Sequence, residues 1–105
     1  MSLSPPAEIK GKFFMLAEIT AVEGKGDDIQ KYLSAISKIA HSSDEPGTLL
    51  YRTTRGVGSD SNKFTVIEEY ADKAALDHHL SSDAFKSLVG SGAIANVQAT
   101  FREEF

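Results

Sequence analysis

The sequence predicts a ferredoxin-like α+β fold, in which a four-stranded antiparallel sheet carries two helices on one face. Segments with strand-like and helix-like spacing of apolar residues follow one another in the order β-α-β-β-α-β. Several strand segments carry apolar side chains on both parities, so both faces of the sheet need cover. A chain of 105 residues is long enough for one domain with a single core and too short for two.

The N-terminal part divides into an arm and a first strand. Residues 1–11 contain a proline pair and few apolar side chains, so we expect a flexible N-terminal arm ahead of a domain at 12–105. Residues 12–22 alternate as a strand that places Phe13 on one face and Phe14 on the other.

The middle of the chain predicts a helix followed by a strand hairpin. Apolar residues recur at helical spacing from Asp27 or Asp28 to His41, with polar side chains on the opposite side. Residues 48–55 and 63–70 are rich in β-branched and aromatic residues and read as strands. The glycine- and serine-rich segment between them indicates a flexible hairpin connection.

The last third predicts a broken helix and a final strand. Asp72 is a suitable N-cap for a helix over 73–80, which breaks at a Ser-Ser-Asp run and resumes over 84–89. Residues 93–105 then alternate as the fourth strand. This completes the order of elements that the ferredoxin-like fold requires.

Two helices cover only one face of such a sheet, and the other face also carries apolar groups. Phe14 and Leu16 in the first strand, Leu50 in the second and Ile67 in the third share that face by parity. An exposed apolar sheet face favours aggregation. We therefore expect a homodimer formed by sheet-to-sheet packing about a two-fold axis.

Composition excludes several classes of function. The chain has no cysteine, which rules out disulfides, zinc–thiolate sites, cysteine-ligated iron–sulfur clusters and a cysteine nucleophile. A net charge of -4 without a basic stripe argues against nucleic-acid binding. No apolar stretch is long enough to span a membrane and no secretory signal is visible, so a cytoplasmic protein is the expectation.

His79 is the leading candidate for chemistry. Helical spacing places it on the side of Ala75 and Leu76, facing the sheet, where an imidazole could exchange a proton near neutral pH. Glu68 and Tyr70 share a strand face with Phe64 and Val66. If that face meets the helices, a carboxylate there could pair with His79, whereas near the strand end Glu68 would be half-exposed.

Structural readings of the same residues remain open. His79 could be a hydrogen-bonded core histidine, and Tyr51 could be a packing residue with one wet end. The adjacent His78 points about 100° away around the helix, so the pair is poorly placed to chelate a metal, and no metal site is expected. Glycine-rich stretches lack a nucleotide-binding pattern, and no serine-hydrolase motif is present.

Two segments together resemble the antibiotic biosynthesis monooxygenase (ABM) family of the dimeric α/β-barrel superfamily. The first is the turn Glu45-Pro46-Gly47-Thr48 before the second strand and its Tyr51. The second is the run FTVIEEYADKAALDHHLSSDAF, residues 64–85, with its spacing from the aromatic residue to the histidine. The resemblance spans residues 12–105.

The resemblance implies a homodimer with a cavity between sheet and helices, and oxidation of electron-rich phenols or quinols by molecular oxygen without cofactor or metal. It assigns His79 as base or proton shuttle, Tyr70 as a group that packs on or hydrogen-bonds the substrate ring, and Glu68 as support for His79. The implied substrate-pocket residues are Phe13, Met15, Tyr51, Phe64 and Phe85. Haem-degrading members differ, because they carry asparagine and tryptophan about where this chain has Ala17 and Tyr70.

The sequence thus favours a cofactor-independent monooxygenase that acts on a small electron-rich aromatic or quinol. Two other functions stay open at this point. One is an isomerase or lyase on a small carbonyl compound, which would use the same acid/base groups. The other is a non-catalytic, stress-responsive module that binds a small molecule, in which His79 is only structural.

Overall fold

The computed structural model describes residues 3–105, which form an antiparallel sheet covered by helices on one face. The strands lie in the order β2-β3-β1-β4, as the ferredoxin-like fold requires. The elements in chain order are β1 (Phe13–Ala21), α1 (Gly26–Ala40), β2 (Thr48–Arg55), β3 (Lys63–Tyr70), α2 (Lys73–Leu80), α3 (Asp83–Val89) and β4 (Ile94–Arg102). This confirms the α+β fold class, and the sheet of a single chain is open.

Alternation along the central strands decides which side chains meet the helices. In β1, Phe13, Met15, Ala17, Ile19 and Ala21 are buried, whereas the residues between them are partly or fully exposed. β3 pairs with β1 in the register Met15↔Glu68 and buries the same face. β2 departs from simple alternation: its pairing shifts between Thr48 and Leu50, and Leu49, which strict alternation places on the face of Tyr51, is 47% exposed.

The helices begin and end close to the predicted positions. α1 starts at Gly26, one residue before the expected aspartates, and buries Ile29, Leu33 and Ile36. In α2 the predicted cap is confirmed, because the Asp72 side chain accepts a hydrogen bond from the Ala75 amide at 2.8 Å. Ser82 caps α3 in the same way, through the amide of Phe85.

Among the described residues, the buried side chains form two clusters under the helices. The larger joins β1 and β3 to α1, and it includes Ile19, Leu33 and Phe64. The smaller joins Phe13, Tyr70 and Leu76 with residues of the N-terminal segment. Residues 3–12 form no strand, yet Ile9 is only 6% exposed and belongs to this second cluster.

At one end, the outer face of the sheet carries large apolar side chains beside the charged residues Arg52, Glu69 and Arg102, and at the other end it is polar. Phe14, Leu16, Leu50 and Ile67 lie together there, and each is only half-buried. Towards the other end the same face carries the polar residues Glu18, Thr20, Lys63, Asn96 and Gln98. The parity assignment from the sequence is therefore confirmed on β1 and β3.

Within residues 3–105, no helix has both the length and the apolar character needed to cross a membrane.

Candidate functional site

His79 lies in the last turn of α2 with its side chain directed at the sheet. The Asp72 cap sets where the helix begins, and the helical turn then brings Leu76 and His79 onto the buried side. His79 is 1% exposed, whereas the adjacent His78 is exposed. Helical spacing predicts both orientations.

Glu45 is the hydrogen-bond partner of His79. Oε1 of Glu45 lies 2.6 Å from Nδ1 of the imidazole, and both side chains are buried. The hydroxyl of Thr48 donates to the same carboxyl oxygen at 2.9 Å. Buried polar atoms usually form hydrogen bonds, and His79 and Thr48 are the partners of the buried Oε1 of Glu45.

The loop that carries Glu45 is hydrogen-bonded to α2 and to the residues that precede this helix. Nε2 of His78 lies 2.7 Å from the carbonyl oxygen of Asp44, and the carbonyl of Gly47 accepts a hydrogen bond from the Ala71 amide at 2.9 Å. Gly47 is close to the helix: a Cβ at this position would lie 2.5 Å from the Cβ of Ala75. A glycine at position 47 therefore allows the approach that brings Glu45 to His79.

Glu68 lies on the other side of the imidazole. Its Oε1 is 3.9 Å from Nε2 of His79, beyond hydrogen-bonding distance, and the Tyr70 hydroxyl donates to that same oxygen. The sequence-based expectation that Glu68 pairs with His79 is thus replaced by a Glu45–His79 pair and a Tyr70–Glu68 pair.

Burial changes the protonation of Glu68. The pKa of this carboxyl is raised to about 8, mainly by burial and also by the charge of Glu45, while the hydrogen bond from Tyr70 opposes the rise. Glu68 is therefore mostly neutral near pH 7. Burial, followed by the nearby carboxylates, also raises the pKa of Tyr51 and of Tyr70, so both phenols stay protonated.

A small apolar pocket lies between the sheet and the helices beside these groups. Its volume is about 30 Å³, and Met15, Tyr51, Glu68, His79, Phe85 and Leu3 are among the residues that line it. Water needs roughly 10–15 Å³ by this measure, and an engineered cavity of about 150 Å³ binds benzene. The pocket thus has room for about two waters and is too small for an aromatic ring.

Five of the eight residues proposed from the sequence line this pocket: Glu68, His79, Met15, Tyr51 and Phe85. Phe13 does not, because it packs in the second cluster against the rings of Tyr70 and Phe101 at 5.8 and 6.1 Å. Phe64 lies instead under the guanidinium of Arg55, 5.2 Å from its ring centroid.

Tyr70 likewise does not line the pocket, and its hydroxyl donates a hydrogen bond to Glu68. Its ring is fully buried, with its centroid 5.6 Å from that of His79. The rings of Tyr51 and Phe85 lie beside both the imidazole, at centroid distances of 5.2 and 6.2 Å, and the pocket.

Sequence reasoning did not assign Glu45 or Leu3 to this site. Glu45 had a detectable signal, because it opens the Glu-Pro-Gly-Thr turn. Leu3 had none, since an isolated leucine in a proline-containing arm follows no periodicity. In the described part of the chain, no group of three or more His, Cys, Asp or Glu side chains is placed to hold a metal ion.

Fold and site together define a ferredoxin-like α+β domain with a buried histidine–carboxylate pair beside an apolar pocket. Residues 13–90 match the sequence profile of the antibiotic biosynthesis monooxygenase family, which is well over half of the chain. The protein belongs to this family. No curated protein matches the chain significantly.

Solved structures from several bacteria share the fold. PA3566 from Pseudomonas aeruginosa is 24% identical, with a TM-score of 0.82, and the match covers 94% of this chain and 99% of that one. A protein from Caulobacter crescentus, provisionally named an antibiotic biosynthesis monooxygenase, is 23% identical over 91% and 92% of the two chains, with a TM-score of 0.78. A protein from Bacteroides thetaiotaomicron with the same provisional name is 20% identical over 89% of each chain, with a TM-score of 0.79.

Proposed function

We propose that the protein is a cofactor-independent monooxygenase that oxidises a small electron-rich phenol or quinol with molecular oxygen. The observation that carries this proposal is His79, a buried imidazole that lines an apolar pocket and is hydrogen-bonded at Nδ1 by Glu45. Membership of the monooxygenase family supports the class of reaction.

The reaction balances without an added reductant. A phenol that loses its hydroxyl proton becomes an anion able to give electrons to oxygen, and a carbon–oxygen bond then forms at the ring. Loss of the ring hydrogen and of the outer peroxide oxygen as water leaves a quinone. The substrate supplies all four electrons that reduce O₂, one oxygen atom enters the product, and the other becomes water.

The residues beside the pocket suit this sequence. His79 takes the hydroxyl proton at Nε2, and the resulting imidazolium stabilises the phenolate. Glu68 is mostly neutral below about pH 8, so it places no full negative charge beside that anion. The apolar walls keep water away from the reactive anion.

Substrate entry requires the pocket to widen from its volume of about 30 Å³. Leu3, Leu80 and Phe85 line it and are only partly buried, so they can move without unpacking the main core. Leu3 belongs to the described N-terminal residues 3–12, which form no strand or helix. We infer that a bound ring takes the space that these side chains vacate.

We further propose that the working unit is a homodimer packed through the outer sheet faces. Phe14, Leu16, Leu50 and Ile67 form an apolar patch on that face that is only half-buried in a single chain. Burial of such a patch against its symmetry copy removes apolar surface from water.

Oxygen consumption with a panel of hydroquinones, naphthols and polyphenols tests the monooxygenase proposal, on protein first treated with a chelator. We expect one O₂ per quinone formed, and His79→Ala should reduce the rate by about 100-fold or more. His78→Ala, one residue away on the exposed side of α2, is the matched control and should keep the wild-type rate. Turnover of no substrate, or full activity of His79→Ala, would refute the proposal.

An isomerase acting on a small carbonyl compound is the second candidate. A neutral carboxyl and a histidine on the same pocket wall form an acid and a base, which is the equipment for moving a proton between two carbons. Turnover under strict anaerobiosis would favour this reaction over the oxygenase.

A further inference from the structure

Glu45 contacts His79 on the side of the imidazole that faces away from Glu68. It comes from the loop between α1 and β2, yet its carboxyl lies against the buried Nδ1 of His79, 34 residues further along the chain. The exposed fractions of the two side chains are 3% and 2%. A contact so deeply buried is not weakened by solvent or salt, unlike a surface ion pair.

A carboxylate only accepts hydrogen bonds, and this decides where the proton of a neutral imidazole resides. Because the Glu45 carboxylate lies at Nδ1, a neutral imidazole donates to it only when its proton is on Nδ1, and this tautomer leaves the lone pair on Nε2. Nε2 lies on the side of Glu68, which lines the pocket with His79. The other tautomer would place a lone pair against a carboxylate and turn an N–H towards the pocket.

We propose that Glu45 is the positioning residue for His79: it holds the Nδ1–H tautomer and the ring orientation that leave Nε2 to receive the hydroxyl proton of a phenolic substrate. This inference rests on the proposed function for the identity of the substrate. The imidazolium formed by that transfer is stabilised by the same carboxylate. The proton can then return from Nε2 to the departing oxygen, so the site needs no net proton from solvent.

The other groups around the imidazole do not take this role. Glu68 is 3.9 Å from Nε2 and its Oε1 already accepts the Tyr70 hydroxyl. Tyr51 contacts the imidazole with its ring, at a centroid distance of 5.2 Å. His78 hydrogen-bonds the backbone carbonyl of Asp44 at the surface. Glu45, in contrast, lies at hydrogen-bond distance from a ring nitrogen of His79. It does not line the pocket, so a bound substrate leaves this contact in place.

Nitrogen NMR of the wild-type protein, labelled with ¹⁵N-histidine, tests the tautomer without any substrate. The signals of the three histidines are assigned with His41→Gln and His78→Gln variants, and spectra are recorded at pH 7 and pH 9. We expect Nδ1 of His79 to carry the proton and Nε2 to be bare at pH 9. An Nε2–H tautomer, or protonation of both nitrogens at both pH values, overturns the proposal.

Substitution of Glu45 tests whether this residue sets the tautomer of His79 and the rate of the reaction. Glu45→Leu removes the acceptor while keeping bulk, and Glu45→Gln keeps the shape if the leucine variant does not fold. We expect the His79 tautomer preference to be lost and kcat to fall by about tenfold or more, with KM within about twofold, because the pocket walls are unchanged.

His78→Ala is the matched control, because it loosens the same loop at Asp44 and leaves the buried pair in place. It should lower the midpoint of thermal unfolding slightly, with the tautomer and kcat unchanged. If Glu45→Leu loses the tautomer but keeps its kcat, Glu45 is structural and the proposal is wrong. If the wild type holds the Nδ1–H tautomer but oxidises no phenol, the proposed function fails and the assignment of Glu45 stands.

Discussion

Nδ1 of His79 lies 2.6 Å from Oε1 of Glu45, and this buried contact joins the loop before β2 to the last turn of α2. The loop reaches the helix because Gly47 has no Cβ to meet Ala75. A buried pair of this kind is costly to break from one side, because the remaining polar group loses its partner. The site therefore depends on contacts between segments distant in sequence.

The protonation of Glu68 predicts how stability depends on pH. Its pKa in the folded state is about 8 against an ordinary value of 4.5, so the folded state holds a proton that the unfolded state releases. Stability is then highest below about pH 4.5 as far as this group is concerned, and it falls as pH rises towards 8. The slope is up to about 1.4 kcal/mol per pH unit.

Glu68→Gln, which is neutral at every pH, should remove this slope. Urea unfolding between pH 5 and pH 9 measures it, with exposed Glu18→Gln as the matched control on the same sheet. A wild type that is equally stable at pH 5 and pH 8, relative to the glutamine variant, would show that Glu68 titrates normally.

The close approach of Gly47 to α2 predicts a specific pair of substitutions. Gly47→Ala would set its Cβ 2.5 Å from that of Ala75 and should destabilise the protein by about 1–3 kcal/mol. Ala75→Gly alone should cost about 1 kcal/mol through helix propensity. In the double variant the two costs should be clearly less than additive, because the clash is gone.

Chemical denaturation of the four proteins in this cycle measures the coupling. Gly11→Ala, where nothing lies within 4 Å of the added carbon, is the control and should be close to neutral. Additive costs in the double variant would mean that the loop does not rest on α2 as described.

The position of Leu3 in the pocket wall predicts that this side chain limits the binding of an aromatic ring. Leu3→Ala removes a partly buried side chain from the pocket wall and should raise the affinity for fluorobenzene several-fold. Fluorine NMR titration measures this without any reaction. Val57→Ala, at a site that is 85% exposed, should change nothing. Equal affinity of the wild type and the Leu3 variant would exclude the N-terminal segment from control of the pocket.

The outer sheet face predicts the oligomeric state. The wild type should sediment at twice the chain mass of 11.3 kDa. Leu16→Glu should sediment as a monomer, because dimerisation would bury the new charge among the apolar side chains of this face. Val57→Glu, on an exposed loop, should remain dimeric. A wild type that sediments at the mass of one chain would refute the homodimer.

Local patterns in the sequence were enough to predict the helices and strands of the fold. The alternation of β1 and β3 identifies their buried faces, and the Asp72 cap with helical spacing turns His79 inwards. These features repeat at short range, so they can be read from neighbouring residues. Where a local irregularity interrupted the alternation, as at Leu49, burial did not follow parity.

Only the tertiary structure decided how the site is connected. The pairing of Glu45 with His79 and the position of Leu3 at the pocket each join segments with no shared periodicity. The neutral state of Glu68 likewise follows from burial by several elements at once. Sequence patterns identified the histidine because orientation on a helix is local, whereas its partner depends on which loop packs against that helix.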